Sequence, residues 1–257
     1  MPLQPSKAKL TPPPQAFCAG LSTWLPAAAK DTAADHSVRE ICLPGEPAWQ
    51  LDSGRTLETR LLELSHVERR LVADVRPTGA QAILRADQGI EMLVQRGTVL
   101  FGDQRLSSGT YLRLPQDPDA LRDVTLLSEA LVTVAIGQIG TTDTEQRLID
   151  TNDKAAWFDG PVVGVEVLPL HGHGTSNVML VRWQSTAAFQ PNIDPVGEEL
   201  YVLSGALHDS TGSYPAGSWI RNPVPAWQSW AGTPGTVVCY KSGHFPDRGT
   251  APDSGAN

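Results

Sequence analysis

The stretch Gln190–Gly205, QPNIDPVGEELYVLSG, holds the residue types and spacing most able to do chemistry. Two polar side chains, Asn192 and Asp194, stand one residue apart, a carboxylate, Glu198, follows four residues on, and Gly205 closes the run. A metal-binding β-barrel motif has this cadence, but with histidines where this chain carries Asn192 and Asp194. Carboxylate and amide oxygens suit a hard cation such as Mg, Ca or Mn better than zinc or iron.

The elements that must position these residues are short strands. Runs such as ETRLLELS, IEMLVQRG, VMLVRW, EELYVLSG and GTVVCYKS alternate apolar and polar residues between Gly, Pro, Asp and Ser punctuation. That pattern predicts many short strands and little helix. The chain also repeats itself. Shifted by 108 residues, Ala48–Pro115 overlays Ala156–Pro223 without a gap, with 13 identities in 68 positions. An unrelated overlay would give about 4 from average residue usage. The matches include Trp49 with Trp157, Glu58 with Glu166, Glu91 with Glu199, Gly97 with Gly205, and Arg113 with Arg221. The expected organisation is an N-terminal tail over 1–40, β-domains over 41–140 and 145–245, and a C-terminal tail over 246–257.

The second half carries a family likeness. Glu198 and Gly205 keep a Glu-x6-Gly spacing, and Tyr214-Pro215-Ala216-Gly217-Ser218-Trp219-Ile220-Arg221-Asn222-Pro223 forms a turn-and-strand motif. Together they resemble the cupin-like domain of the ChrR anti-sigma factors. The resemblance implies an all-β fold of tandem duplicated jelly-roll barrels with a site in the barrel mouth. It places the family's four metal-ligand slots on Asn192, Asp194, Glu198 and Gln228, of which only Glu198 is the family's own residue. Through the repeat, the same slots in the first half fall on Leu84, Ala86, Ile90 and Ala120. All four are apolar, and a cation stripped of water there would find no ligand. The first barrel is expected to hold no metal.

Three occupants fit the quartet in the second barrel. One is a divalent cation, Mn, Mg, Ca or Fe. Another is a small polar ligand held by hydrogen bonds without metal. The third is water alone, in a site that has lost its ligand. Trp227 and Trp230 flank Gln228 and are candidates to line the pocket mouth.

Function classes follow from these residues. The anti-sigma family also carries a helical zinc domain with a His-x3-Cys-x2-Cys element, and the residues before 45 show no such spacing. A sigma factor is therefore not the expected partner. Iron dioxygenase chemistry needs histidine ligands, and no histidine occupies a slot. A general-base isomerase or lyase using Asp194 or Glu198 remains open. A small-molecule binding or sensory cupin is the first expectation, and homodimerisation through sheet edges or faces is the second.

A net charge of −8 argues against nucleic acid or an anionic membrane as partner. Cys18, Cys42 and Cys239 are too few and too scattered for a disulfide framework, and no segment has the length and apolarity of a membrane helix. The expected location is cytoplasmic. HGHG, His171–Gly174, reads as an exposed hairpin turn, and Glu91/Arg113 and Glu199/Arg221 read as structural ion pairs, one within each barrel. Trp49 and Trp157 read as packing residues.

Overall fold

The computed structural model describes residues 38–65, 69–85, 88–117, 123–189, 197–223 and 229–245. Nearly all regular structure there is strand, with a single 3-10 turn at Lys154–Ala156. The strands form two seven-stranded and two four-stranded antiparallel sheets. In the first half the larger sheet runs, edge to edge, 147–150, 110–114, 90–96, 131–136, 70–77, 57–65, 50–51; the smaller runs 81–85, 123–127, 98–101, 104–107. The second half repeats this with 40–42, 219–222, 198–204, 237–242, 176–183, 165–173, 158–159 and with 187–189, 230–232, 206–208, 213–215. Strands Leu57–Ser65 and Val165–His173 lie 108 residues apart, as do Ile90–Arg96 and Glu198–Ser204. The duplication seen in the sequence is thus a duplication of strands.

One feature crosses the halves. Glu40–Cys42 pairs with Trp219–Arg221 of the second barrel, whereas Arg147–Asp150 pairs with Thr110–Arg113 of the first. Each half therefore lends an edge strand to the other's large sheet.

Each barrel closes its large sheet over its small one around an apolar core. In the first barrel this core includes Leu57, Leu84, Ile90, Met92, Val94, Leu114, Leu126 and Val134. In the second it includes Val181, Trp183, Leu200, Val202, Leu207, Tyr214, Ile220 and Trp230. The two large sheets then pack face to face, as shown by mixed clusters of Leu93 and Tyr111 with Leu168, Leu170, Val178 and Leu180, and of Leu62 and Val72 with Tyr201 and Trp219. The central strands are consequently buried on both faces. Along Ile90–Arg96, Ile90, Met92 and Val94 point into the barrel, while Glu91 and Leu93 point to the junction. Along Glu198–Ser204, Leu200 and Val202 point in and Glu199 and Tyr201 out. At the hairpin after each of these strands stands a glycine at positive φ, Gly97 at 76° and Gly205 at 68°, where a side chain would strain the backbone.

No helix among the described residues is long and apolar enough to cross a membrane.

Candidate functional site

Glu198 opens its strand from the inner face of the second barrel and is 1% exposed. Its cross-strand neighbour is Asn222, the last residue of the adjacent strand. The Asn222 Nδ2 donates to Glu198 Oε1 at 2.7 Å, and the Trp230 Nε1 donates to the same oxygen at 3.1 Å. Trp230 comes from the small sheet, so the carboxylate ties the two sheets of the barrel together. The Trp230 ring is fixed in turn by an edge-to-face contact with Tyr214, centroids 6.1 Å apart. Asn222 is 1% exposed, and its other polar atom, Oδ1, has no hydrogen-bond partner among the described residues. A buried carbonyl left unsatisfied costs about 1–3 kcal/mol, which makes this oxygen the open acceptor of the site.

Of the expected site residues, the structure brings Glu198 and Trp230 into direct contact. Asn192, Asp194, Trp227 and Gln228 lie outside the described residues, as do Ala86 and Ala120 of the first half. Leu84 and Ile90, the described counterparts in the first half, are fully buried within an apolar core. Sequence reasoning missed Asn222, although a signal was present. The repeat overlays it on Leu114, so an inner-face position that is apolar in the first barrel is polar in the second.

The histidine-ligated metal of cupin sites does not fit these residues. Glu198 Oε1 already accepts two N–H groups, and among the described residues no three His, Cys, Asp or Glu side chains converge as a metal cage. His171 and His244 are buried at the junction between the barrels instead. Asn222 Oδ1 is a hard neutral oxygen suited to a hydrogen-bond donor or a hard cation.

Directly behind the site lies a row of buried charges. Glu199 pairs across its two neighbouring strands with Arg221 and Lys241 in register, and all three face the first barrel. Arg221 reaches Glu63 Oε1 at 3.0 Å and Glu40 Oε2 at 3.4 Å. Arg70 Nη2 lies 3.1 Å from Glu199 Oε1 and 3.5 Å from Glu63 Oε2. Lys241 donates to Glu91 and, at 2.6 Å, to Gln138 Oε1. Glu91 also faces Arg113 Nε at 3.4 Å and accepts from the Tyr111 hydroxyl at 2.9 Å. Arg113 continues to Asp143, and Asp143 Oδ2 meets His171 Nε2 at 2.8 Å. His244 Nε2 stands 3.1 Å from Glu199 Oε2 but off the line of a hydrogen bond, so that contact is proximity rather than a bond.

Two expectations are revised here. Glu91 and Arg113 pair within the first barrel, and Glu91 takes Lys241 from the second as well, whereas Glu199 and Arg221 stand opposite each other in register and find their ion-pair partners, Arg70 and Glu63, in the first barrel. HGHG is only partly a turn. The strand runs to His173, the turn is Gly174–Thr175, and His171 is buried because Asp143 in the connection between barrels receives its ring. The repeated tryptophans are half-buried under guanidinium groups, Arg76 4.3 Å from the Trp49 ring centre and Arg182 4.0 Å from that of Trp157. Each arginine also pairs with the repeated carboxylate, Glu58 or Glu166.

Burial sets the titration of the junction. It raises the Glu63 carboxyl to about 7, helped by the neighbouring Glu199 charge and resisted by Arg70 and Arg221. Burial also acts to raise Glu91, but Lys241, Arg113 and the Tyr111 hydroxyl outweigh it and hold the group below its usual range. Burial pushes His244 well below the ordinary imidazole value, so the ring is neutral.

Residues 144–246 match the model of the ChrR cupin-like domain. No curated protein matches the chain in sequence. Solved structures share the fold across both barrels. A candidate dioxygenase from Nostoc punctiforme is 14% identical, with a TM-score of 0.64 and 92% of each chain covered. A bacterial pirin from Escherichia coli, in complex with nickel(II), is 10% identical at a TM-score of 0.57, over 80% of this chain and 98% of that one. An oxalate decarboxylase variant from Bacillus subtilis is 13% identical at 0.53, over 84% and 79%. At such identities these neighbours establish the fold alone. With the barrel order, the inner-face Glu198 and the matched motif in place, residues 144–246 are similar to the ChrR cupin-like domain, and the chain as a whole has the fold of a two-barrel cupin.

Proposed function

We propose that this protein binds a small molecule in its second barrel, without transition-metal chemistry, and acts as a binding or sensory cupin. The observation that carries this is the buried trio of Glu198, Asn222 and Trp230, with Asn222 Oδ1 left as an unused acceptor among the described residues. Such an arrangement suits a compact ligand that presents N–H or O–H groups. The apolar core of the first barrel supports a purely structural role for that half. Proteins named for dioxygenase and decarboxylase activity share the fold, so an enzyme is the competing reading. Against it stands the state of Glu198. Its Oε1 is already engaged by the Asn222 amide and the Trp230 indole N–H, so taking a proton there would cost those hydrogen bonds.

The test is metal content by mass spectrometry on tag-free protein purified without chelator, with melting temperature measured before and after EDTA. A small-molecule melting-shift screen on wild type and Glu198→Gln completes it. The expected result is substoichiometric metal, no EDTA effect, and stabilising hits that Glu198→Gln abolishes. Near-stoichiometric iron or nickel with a lowered melting point after EDTA would refute the metal-free reading and bring an enzymatic role forward. A homodimer belongs to the same proposal: Ile41 and Leu148, on the lent edge strands, are 42% and 44% exposed. Light scattering that gives a monomer would remove it.

A further inference from the structure

Among the described residues, the barrel junction holds one more carboxyl than it has cationic partners. In the half around Lys241 the cations Lys241 and Arg113 face the carboxyls Glu91 and Asp143, one for one. The half around Glu63 has two guanidinium groups, Arg70 and Arg221, against three carboxyls, Glu40, Glu63 and Glu199. His244 is neutral and adds no cation, and Gln138 offers Glu199 only amide contacts at 3.4 Å. Glu63 is the most enclosed of the three carboxyls, with no exposure at all, whereas the Glu40 side chain retains 29%. The same nitrogen of Arg70 touches both Glu63 and Glu199, which sets these two carboxyls side by side. Two buried carboxylates in contact cannot both ionise cheaply.

We propose that Glu63 is a proton-operated clasp between the barrels: protonated, it hydrogen-bonds the Glu199 carboxylate and holds strand 57–65 against strand 198–204, and on losing that proton it repels Glu199 and loosens the junction. The groups facing it come from every element packed around it. Arg70 lies on the next strand of its own barrel, Glu199 and Arg221 on two strands of the second barrel, and Glu40 on the strand lent to that barrel. Behind Glu199 stand Lys241, His244 and Gln138. Because Glu199 and Arg221 are sequence neighbours of Glu198 and Asn222, loosening the clasp moves the outer side of the two strands that carry the site. The clasp itself does not depend on what, if anything, the site binds.

The sign follows from the raised titration. A carboxyl whose folded value exceeds its unfolded one adds stability that is complete below the unfolded value and lost as pH climbs through the folded value, here about 7. His244 works in the opposite direction at lower pH, but equally in wild type and in a Glu63 variant, so the difference between the two isolates Glu63.

The experiment compares urea unfolding of wild type and Glu63→Gln, which keeps an N–H donor toward Glu199 and cannot ionise. Between about pH 5 and about pH 8, the wild-type unfolding constant is expected to rise by at least about tenfold more than that of the variant. Equal pH dependence of the two, within about twofold, would overturn the proposal. Hydrogen exchange on the wild type, corrected for intrinsic rates, gives a second readout that needs no variant. Protection in 57–65 and 198–204 is expected to fall across neutrality relative to the remote strands 81–85 and 123–127, and an unchanged ratio would also overturn it.

Discussion

Lys241→Met probes the junction most cleanly, because methionine keeps the length and apolar stem of lysine and removes the charge. In the native protein the Lys241 ammonium is buried against Glu91 and Gln138. Deleting one partner of a buried ion pair costs about 3–5 kcal/mol, since the other charge is left in a medium that cannot solvate it. Here Glu91 keeps Arg113 at 3.4 Å and the Tyr111 hydroxyl at 2.9 Å, which places the expected loss near the lower end of that range. About 3 kcal/mol corresponds to a fall of roughly 6–12 °C in melting temperature for a chain of this size. The double variant Lys241→Met with Glu91→Gln removes both charges and is expected to recover most of the loss, because a buried pair is worth little against a neutral replacement.

Calorimetry and urea unfolding at neutral pH measure both proteins. A pH series adds a third arm. The Glu91 carboxyl is held low by Lys241 and Arg113 against its burial, so its stabilisation is present above the ordinary carboxylate range and is lost as pH falls through its folded value. The gap between wild type and Lys241→Met should therefore narrow on acidification. A single variant within about 0.5 kcal/mol of wild type, or a double variant no better than the single one, would refute the view that this pair is a buried charge in need of its partner.

Trp230→Phe removes one of the two donors to Glu198 and is expected to cost about 1–3 kcal/mol by urea unfolding; no loss would mean that the indole N–H is not needed to hold the carboxylate. Gly97→Ala puts a Cβ onto the Glu129 carbonyl at a positive φ and should destabilise by more than about 1 kcal/mol, whereas Gly102→Ala, with open space around it, should lose less in the same assay. Burial pushes the Cys239 thiol up to about 12 and Cys42 up to about 11. Native protein at about pH 8 should therefore modify slowly at both positions by peptide mapping, and rapid labelling of Cys239 would show that the junction opens.

Much of the fold was legible because the duplication left its marks on turn glycines and on the central strands. Gly97 and Gly205 must occupy a backbone region that other residues avoid, and they survive at the same repeat position for that reason. Glu198 was legible from its spacing to Gly205. What escaped notice depended on contacts made between the halves. Nothing local tells Arg221 to seek Glu63, 158 residues earlier in the chain. Likewise His171 looked like part of a glycine-rich turn until Asp143, from the connection between barrels, supplied the partner that buries it. The lent edge strands belong to the same class: Glu40–Cys42 is too short to announce which sheet it joins.

The persistence of Glu91 and Arg113 in a barrel whose inner face has turned apolar follows from this geometry. On strand 90–96 the inner row at Ile90, flanked by Leu114 and Ile136, has no polar group, while the outer row at Glu91 keeps its charge. On strand 198–204 both rows are polar: Glu198 with Asn222 and Ser242 inside, Glu199 with Arg221 and Lys241 outside. The inner row meets only its own barrel, so a polar or an apolar set there is settled within that barrel. The outer row answers to the other barrel. Neutralising Glu91 alone would leave Lys241 from the opposite barrel buried without its carboxylate, a cost of several kcal/mol that no change inside the first barrel can offset. The outer charges of the two barrels are therefore locked together, and only paired substitutions such as Lys241→Met with Glu91→Gln can release them.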